Sequence, residues 1–383
     1  MSATTRFPDP VLPDPPALYL ALDLSSRTWK LAFSTGLGQN PRLRTIPARD
    51  LQALTREMSA ARARFGLSES VPSIACYEAG RDGFWLHRFL NSTPSTVNLV
   101  VDSASIEVNR RKRRLKTDRI DALKLLGMLI RYHNGESRVW SVVYVPSPEA
   151  EDARHLHREL FTLKADRTRV TNRIKGLLAA QGLSAPALGR GFTHALEDLR
   201  LFDGAPLYPE LRGRLEREWR HRSALSERVR LIERRQLELL HHSPDEPALA
   251  LVRQLMILRG IGLQSAWLFT FEFFAWRNIQ NRRQLAALAG FTPTPYQSGG
   301  EARDQGISKA GSSLVRAMTI QIAWGWLHFQ PDSALTLWYE RRFAHAGRRM
   351  RAVGIVAVAR RLLIELWRFL DTGSLPEGAV TSS

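Results

Sequence analysis

The N-terminal third of the chain alternates short apolar runs with longer amphipathic segments. The apolar runs predict strands at residues 18–24, 28–33, 73–77 and 96–101. The first two are separated by a polar Ser-Ser-Arg turn, which predicts a β-hairpin. The amphipathic segments predict helices at residues 48–65 and 83–90. Strands that alternate with helices are typical of an α/β domain, which we assign to residues 17–146.

The middle region, residues 147–245, spaces its apolar residues in alternate steps of four and three, which is typical of a coiled-coil seam. The first such segment carries Leu156, Leu160, Leu163, Val170, Ile174 and Leu177, with Arg167 in register. The second carries Leu225, Val229, Ile232 and Leu239, with Gln236 in register. A segment rich in Gly and Pro, residues 182–209, separates them. The two helices could therefore fold back antiparallel or pair with a second subunit, and the sequence leaves both open.

The C-terminal region, residues 246–372, has the pattern of a mainly α-helical domain rich in Trp. Its aromatic residues favour core packing over base stacking: Trp324, Trp326, Phe329, Trp338 and Tyr339. His155 and His157 lack the partners of a metal site, so we predict them on a helix surface. Residues 1–16 are expected to form a flexible, Pro-rich leader, and residues 373–383 a flexible tail.

The net charge of the chain and its distribution indicate which class of partner the protein binds. The 383 residues include 55 Lys and Arg against 37 Asp and Glu, a formal charge of +18. General solubility or an overall bias toward Arg is the plain alternative, but the charge is clustered. Residues 341–361 hold seven arginines and no acid, and a second dense run consists of Arg110, Arg111, Lys112, Arg113, Arg114 and Lys116. Such runs fit phosphate backbones, which predicts a nucleic-acid partner.

The amino-acid composition excludes disulfide-bonded, multi-cysteine zinc and membrane-spanning proteins. Cys76 is the only cysteine, so intrachain disulfides and zinc sites built from several cysteines are ruled out. No apolar run approaches the roughly 20 residues that span a bilayer, and the first residues do not read as a signal peptide. We therefore expect a cytoplasmic protein without a membrane partner.

Four acidic residues form the candidate chemistry of the α/β domain. Asp23 lies near the end of the first predicted strand, and Glu78 follows the strand at 73–77. Asp118 and Asp121 open a predicted helix, three residues apart on one face. Carboxylates in these positions can converge on a pair of divalent ions, the arrangement of a metal-dependent nuclease. Taken singly, each also has an ordinary explanation as a helix cap or a loop residue.

The local sequences around these acids resemble the DEDD-type insertion-sequence transposases. The matching motifs are Leu-Tyr-Leu-Ala-Leu-Asp ending at Asp23, Cys-Tyr-Glu ending at Glu78, and Arg-Arg-Leu-Lys-Thr-Asp-Arg-Ile-Asp-Ala around Asp118 and Asp121. The resemblance implies an RNase H-like (RuvC-like) N-terminal domain. It also implies that the four acids bind two Mg²⁺ ions, with Mn²⁺ as an alternative.

The C-terminal region resembles the same transposases. Gly260 and Gly262 stand in a Leu-Arg-Gly-Ile-Gly turn like that of a helix-hairpin-helix, whose exposed amides face a DNA phosphate, although a plain inter-helix turn has the same pattern. Farther along, a Ser-Gly-Gly motif places Ser298 where the family has its DNA-linked nucleophile; by turn chemistry alone it is an ordinary turn. Lys309 and Arg316 are candidates to hold the phosphate, and a solvated helix face explains them equally well.

The resemblance implies a recombinase that acts on donor and target DNA, guided by a bridge RNA encoded by its element, as a dimer or tetramer. Two other functions stay open. One is a RuvC-like junction nuclease that uses water, with Ser298 only structural. The other is an inactive nucleic-acid-binding protein, against which the four acids argue.

Overall fold

The computed structural model describes residues 17–80, 83–106, 118–298 and 301–382; for residues 118, 119, 295–298 and 301–305 the description covers the backbone only. The chain divides at Val145 and Pro146 into two compact units. No helix within the described residues is both long and apolar enough to cross a membrane.

The first unit is built on a five-stranded mixed sheet. Its strands are β1 (Leu18–Leu24), β2 (Thr28–Ser34), β3 (Arg42–Pro47), β4 (Ser73–Glu78) and β5 (Thr96–Val101), in the order β3-β2-β1-β4-β5. β1, β2 and β3 pair antiparallel, whereas β4 and β5 continue from β1 in parallel. The predicted hairpin is confirmed, and Ser25 Oγ closes its turn by accepting from the Thr28 amide at 3.1 Å. β3 was not predicted.

Helices cover both faces of this sheet. They are α1 (Leu51–Phe65), α2 (Trp85–Ser92) and α3 (Asp118–His133), with a 3₁₀ turn at Ser103–Ser105. α1 begins where the Asp50 carboxylate accepts from the Ala53 amide at 2.8 Å, and it ends at Gly66, whose φ of 66° suits a residue without Cβ. α1 and α2 share one apolar core with β1, while α3 shares the other.

The second unit begins with a helical hairpin. Its helices are α4 (Pro148–Asp152), α5 (His155–Ala179), α6 (Phe192–Asp198) and α7 (Pro209–His242). α5 and α7 pack antiparallel within the chain, because the start of α5 meets the middle of α7 and the end of α5 meets its first half. The pairs that show this are Glu159 with Arg228, Thr171 with Arg222, and Arg173 with Glu218. Of the two arrangements that the sequence left open, the structure shows the antiparallel pair within one chain. The apolar seam of α5 ends at the buried Leu178, whereas the sequence pattern predicted Leu177.

The rest of the second unit is a helical bundle with one hairpin of strands. Its helices are α8 (Pro247–Met256), α9 (Leu263–Phe269), α10 (Arg282–Leu288), α11 (Ser313–Phe329), α12 (Ala334–Tyr339) and α13 (Arg348–Thr372). π-helical turns extend α9 (Thr270–Phe274) and α12 (Glu340–Ala344). Of the aromatic residues predicted as core, Trp326 and Tyr339 are buried, whereas Trp324 and Phe329 are 51% and 42% exposed.

Two parts of this unit depart from the sequence-based expectation. Between α10 and α11 the chain forms an antiparallel pair of strands, β6 (Pro293–Ser298) and β7 (Glu301–Ile307), which the pattern did not predict. The end of the chain, expected as a flexible tail, is held by backbone hydrogen bonds instead. Val380 O accepts from the Arg259 amide at 3.2 Å, and the Ser382 amide donates to Ile257 O at 2.7 Å.

The surface position predicted for His157 is wrong. His157 is fully buried, and its Nε2 lies 2.8 Å from Oε1 of Glu272, in the π-helical turn after α9. Arg158 Nη2 donates to the other carboxylate oxygen at 2.9 Å. Burial alone would raise the pKa of Glu272, but the hydrogen bonds from His157 and Arg158 outweigh it and lower this pKa to about 2. This cluster, in which Glu272 and His157 are buried and Arg158 is half-exposed, thus ties the start of α5 to the bundle.

This cluster predicts an acid-dependent loss of stability. Because the pKa of Glu272 is lower in the folded chain than its ordinary value of 4.5, its contribution is complete above about pH 4.5 and is lost as the pH falls towards 2. We expect Glu272→Gln to lower the free energy of unfolding by about 2 kcal/mol at pH 7 and by little near pH 2. Denaturant melts across this pH range measure the difference.

Glu227→Gln is the matched control, because Glu227 pairs with Arg230 on the exposed surface of α7. A surface pair contributes roughly 0–1 kcal/mol, so this variant should remain near wild type at every pH. Equal pH profiles for the two variants would contradict the stabilising role of the buried cluster.

Candidate functional site

Asp23 and Glu78 line one open cleft at the carboxyl end of the central strands. β1 and β4 run parallel with Leu22 opposite Tyr77, so the next residue of each strand is one of the two acids. The cleft has a volume of about 500 Å³ and continues over the Ser25 turn and Gly80. Asp23 is partly buried and Glu78 is exposed, which leaves carboxylate oxygens within reach of solvent.

Both acids lie on the sheet face that α3 covers. Side chains alternate along a strand, so Asp23 shares a face with Tyr19 and Ala21, whose core partners lie on α3. His133 at the end of α3 contacts the start of β1, because its Nδ1 lies 3.0 Å from the Tyr19 hydroxyl. Burial lowers the pKa of this histidine. The end of α3 thus lies beside the start of β1.

Asp121 lies in the first turn of α3. Asp121 is partly buried, one residue before the buried Ala122 that faces the sheet. Asp121 is not among the residues that line the cleft, so its role beside the two strand-end acids belongs to the proposal below.

Asp118 is the first residue of α3, and its side chain lies outside the part of the chain that is described. Among described side chains, no group of three or more His, Cys, Asp or Glu lies close enough together to hold a metal ion. The chemistry of the donor set nevertheless fits Mg²⁺, which prefers carboxylate oxygens and retains several waters, for which an open cleft has room. Cys76, on the same face, is buried, which raises the pKa of its thiol and keeps it protonated.

Ser298 ends β6 and pairs with Glu301 of β7, so it lies at the tip of the strand hairpin; its side chain is outside the described set. The base of the hairpin is tightly packed. Gly311 has a φ of 111°, and a Cβ there would collide with the carbonyl oxygen of Leu288. Gly290 has a φ of 74°, and its Cβ would lie 2.5 Å from Ala310 O. Both positions require glycine, which fixes where the hairpin leaves the bundle.

Arg316 and Lys309 occupy different positions at this base. Arg316 Nη1 donates to Ala289 O at 3.2 Å and to Lys309 O at 3.0 Å, so the guanidinium bridges the two chain segments that carry the hairpin. Lys309 is exposed, in the left-handed region at φ 57°. Of the two predicted phosphate contacts, Lys309 presents its ammonium to solvent, whereas Arg316 is engaged by the protein itself.

The predicted helix-hairpin-helix turn is a tight bend between α8 and α9. Gly260 has a φ of 94°, and a Cβ there would lie 3.1 Å from Phe329 Cβ, so the position requires glycine. Gly262 precedes α9 as its N-cap residue. The C-terminal segment pairs with this turn through Leu258 and Thr381, so part of its backbone is already engaged within the protein.

Only one of the two basic runs lies within the described residues. The run from Arg110 to Lys116 lies outside the described residues. The arginines at 341–361 lie on the π-helical turn after α12 and on α13, and two of them, Arg360 and Arg361, line a groove with Arg282 and Arg283 of α10. This grouping was missed, because its members lie about 80 residues apart and only the fold brings them together.

Comparison with known proteins identifies the class. Residues 252–337 match the family described as Transposase IS116/IS110/IS902. The chain is 40% identical to "Putative transposase y4rJ" of Sinorhizobium fredii over 380 residues, which cover 95% of this chain and 94% of that protein. It is 29% identical over 180 residues to the transposase for insertion sequence element IS1328 of Yersinia enterocolitica, which cover 46% of this chain and 51% of that protein.

These similarities define a DNA transposase, an enzyme that cleaves and transfers DNA strands. The chain belongs to the IS116/IS110/IS902 family of insertion-sequence transposases.

Proposed function

We propose that this transposase cuts and rejoins DNA with a metal-dependent, RNase H-like acidic site and a serine nucleophile, under the guidance of an RNA that its element encodes. One observation carries the first part of the proposal: Asp23 and Glu78 line one cleft at the ends of adjacent parallel strands, on the face that α3 covers. The mixed sheet with helices on both faces supports the RNase H-like class.

In the proposed site, two Mg²⁺ ions, for which Mn²⁺ could substitute, would be held by Asp23, Glu78, Asp118 and Asp121. Bound there, the ions would stabilise the attacking and leaving oxygens of a phosphodiester. The carboxylates contribute negative charge and oxygen ligands, and their position on strand ends and a helix keeps them in place during the reaction.

The nucleophile in this proposal is the Ser298 hydroxyl. Its oxygen forms a bond to phosphorus and loses its proton, while the bond from phosphorus to one deoxyribose oxygen breaks and that oxygen takes up a proton. One phosphate ester replaces another, so attack by a deoxyribose hydroxyl on the serine ester can rejoin DNA without an external energy source. No histidine lies near Ser298 along the chain, so we assign its activation to the acidic site, in the same subunit or another.

Support for the serine comes from the family resemblance of the Ser-Gly-Gly motif and from the rigid base beneath it, which Gly290, Gly311 and Arg316 form. Guidance by a bridge RNA and assembly as a dimer or tetramer rest on the resemblance alone.

A denaturing gel tests the proposal. Full-length protein is incubated with labelled ends of its element, the element-encoded RNA and Mg²⁺, and the products are separated in detergent. We expect a DNA band that migrates with the protein, that needs both the RNA and Mg²⁺, and that protease removes. Cleaved DNA without this band would point instead to a junction nuclease that uses water.

A further inference from the structure

The second unit contains an open groove of about 710 Å³ between α10, α12 and α13. Five arginines line it: Arg282, Arg283, Arg360, Arg361 and Arg368. Two glutamates also line it, and one of these, Glu365, is paired with Arg368 at 3.0 Å. The groove thus has an excess of three positive charges, contributed by segments far apart in sequence.

Most of this charge is not neutralised by the protein. Within the described part of the chain, no carboxylate lies at ion-pair distance from Arg282, Arg283, Arg360 or Arg361. Like charges in one groove repel each other, and a bound polyanion would relieve that repulsion. The chemistry of the groove therefore fits a phosphate-bearing partner.

The groove presents charge rather than stacking surfaces. Among its described residues the aromatic ones are Trp326, which is fully buried, and Trp338, whose ring is covered by the Arg361 guanidinium at 3.9 Å. Unpaired bases are recognised mainly by stacking on free aromatic rings. A double-stranded backbone needs only phosphate contacts, so the groove fits a duplex better than a single strand.

The spacing of the arginines along α13 matches the spacing of phosphates along a DNA backbone. Arg361 and Arg368 lie seven residues apart on one helix, about 10 Å along its axis, which corresponds to about three phosphates of one DNA strand. Arg282 and Arg283 are exposed on α10, which packs against α13. The arginines can therefore contact phosphates of one backbone from two sides of the groove.

We propose that this arginine groove binds the phosphate backbone of duplex DNA without reading its sequence. The groove is composed of residues other than the acidic cleft and Ser298, so this inference depends neither on metal chemistry nor on a covalent serine step. It would hold the DNA on the second unit in a manner sensitive to salt.

Equilibrium binding by full-length protein in EDTA tests the groove. The probes are a labelled 30-base-pair duplex of unrelated sequence and a single-stranded RNA of equal length, titrated from 50 to 200 mM KCl. Arg360→Gln with Arg361→Gln should weaken duplex binding about 10-fold and make the slope of log affinity against log salt shallower by about two. Arg282→Gln with Arg283→Gln should act in the same direction.

Arg234→Gln with Arg235→Gln is the matched control, because these neighbouring arginines lie exposed on α7, which contributes no residue to the lining of the groove. It should stay within about 2-fold of wild type. Arg361→Lys keeps the charge and loses the planar contact with Trp338, so it should keep the salt slope. Thermal melts verify that each variant is folded.

Three results would overturn the proposal. The first is unchanged duplex affinity and salt slope in the groove variants. The second is an equal loss in the α7 control, which would make the effect one of overall charge. The third is a loss confined to the RNA probe, which would assign the groove to RNA.

Discussion

Asn in place of Asp23 or Asp121, or Gln in place of Glu78, is expected to reduce DNA strand cleavage by about three orders of magnitude or more. The amide keeps the size of each side chain but removes the charge that holds a divalent ion, and several kcal/mol of stabilisation of the transition state are lost with it. Asp118→Asn should behave in the same way, and EDTA should reproduce all four variants. Cleavage of labelled element ends, measured over time in Mg²⁺, gives the rates.

The structure offers a close control for these variants. Asp102 follows β5, the strand next to β4, but it is not part of the cleft, and its carboxylate accepts from the Ala104 amide at 3.0 Å as the cap of a 3₁₀ turn. Asn serves equally well as a cap, so Asp102→Asn should keep both cleavage and stability. DNA affinity should change little in every variant, because phosphate contacts are retained. Full cleavage by any two of the four acidic variants would refute the site.

Ser298→Ala is expected to abolish the covalent adduct between protein and DNA, together with recombination, to below the detection limit of a denaturing gel. Without the hydroxyl there is no oxygen to form the ester, and other nucleophiles cannot give a product attached to this position. Removal of one oxygen at the tip of a strand hairpin should leave the melting temperature nearly unchanged. The acidic variants should lose the adduct as well, if their site activates this serine.

Two further substitutions sharpen the test of Ser298. Ser308→Ala removes a hydroxyl just beyond β7, where the Ser308 amide donates to Thr292 O, and it should keep full activity. Ser298→Cys should keep at most a trace, because a thiol forms a weaker bond to phosphorus and prefers softer ions than Mg²⁺. If Ser298→Ala still gives recombined DNA, water or a DNA hydroxyl is the nucleophile and the covalent mechanism is excluded.

Several elements of the first unit could be predicted because their signals are local. The apolar run of β1 is buried on both faces, with Leu20 in one core and Tyr19 in the other, so it reads as continuous hydrophobicity. Asp23 and Glu78 lie at the ends of such runs. In any α/β fold, residues at the carboxyl ends of neighbouring parallel strands lie at the same end of the sheet. The sequence pattern did not predict β3, because Leu43 and Ile46 are its only large apolar residues. Its extended conformation depends on pairing with β2.

In the second unit, spacing predicted helices but not their partners. The four-and-three pattern of α5 and α7 is satisfied equally by a neighbour in the same chain and by one in a second subunit, since both offer the same apolar seam. His157 looked like a surface residue because its partner, Glu272, is 115 residues away. A buried hydrogen bond of that kind leaves no periodic trace in the sequence.

The sequence by itself determined the apolar strands, the acids at their ends, the basic character of the chain and the motifs that identify its family, since each depends on residues close together along the chain. Only the tertiary structure decided that α3 covers the sheet face that carries Asp23, with its end beside the start of β1. It also decided that Arg316 braces a hairpin and that Arg282 shares a groove with Arg361. These relations depend on how the helices pack, and packing is set by the complementarity of distant surfaces, which no local pattern records.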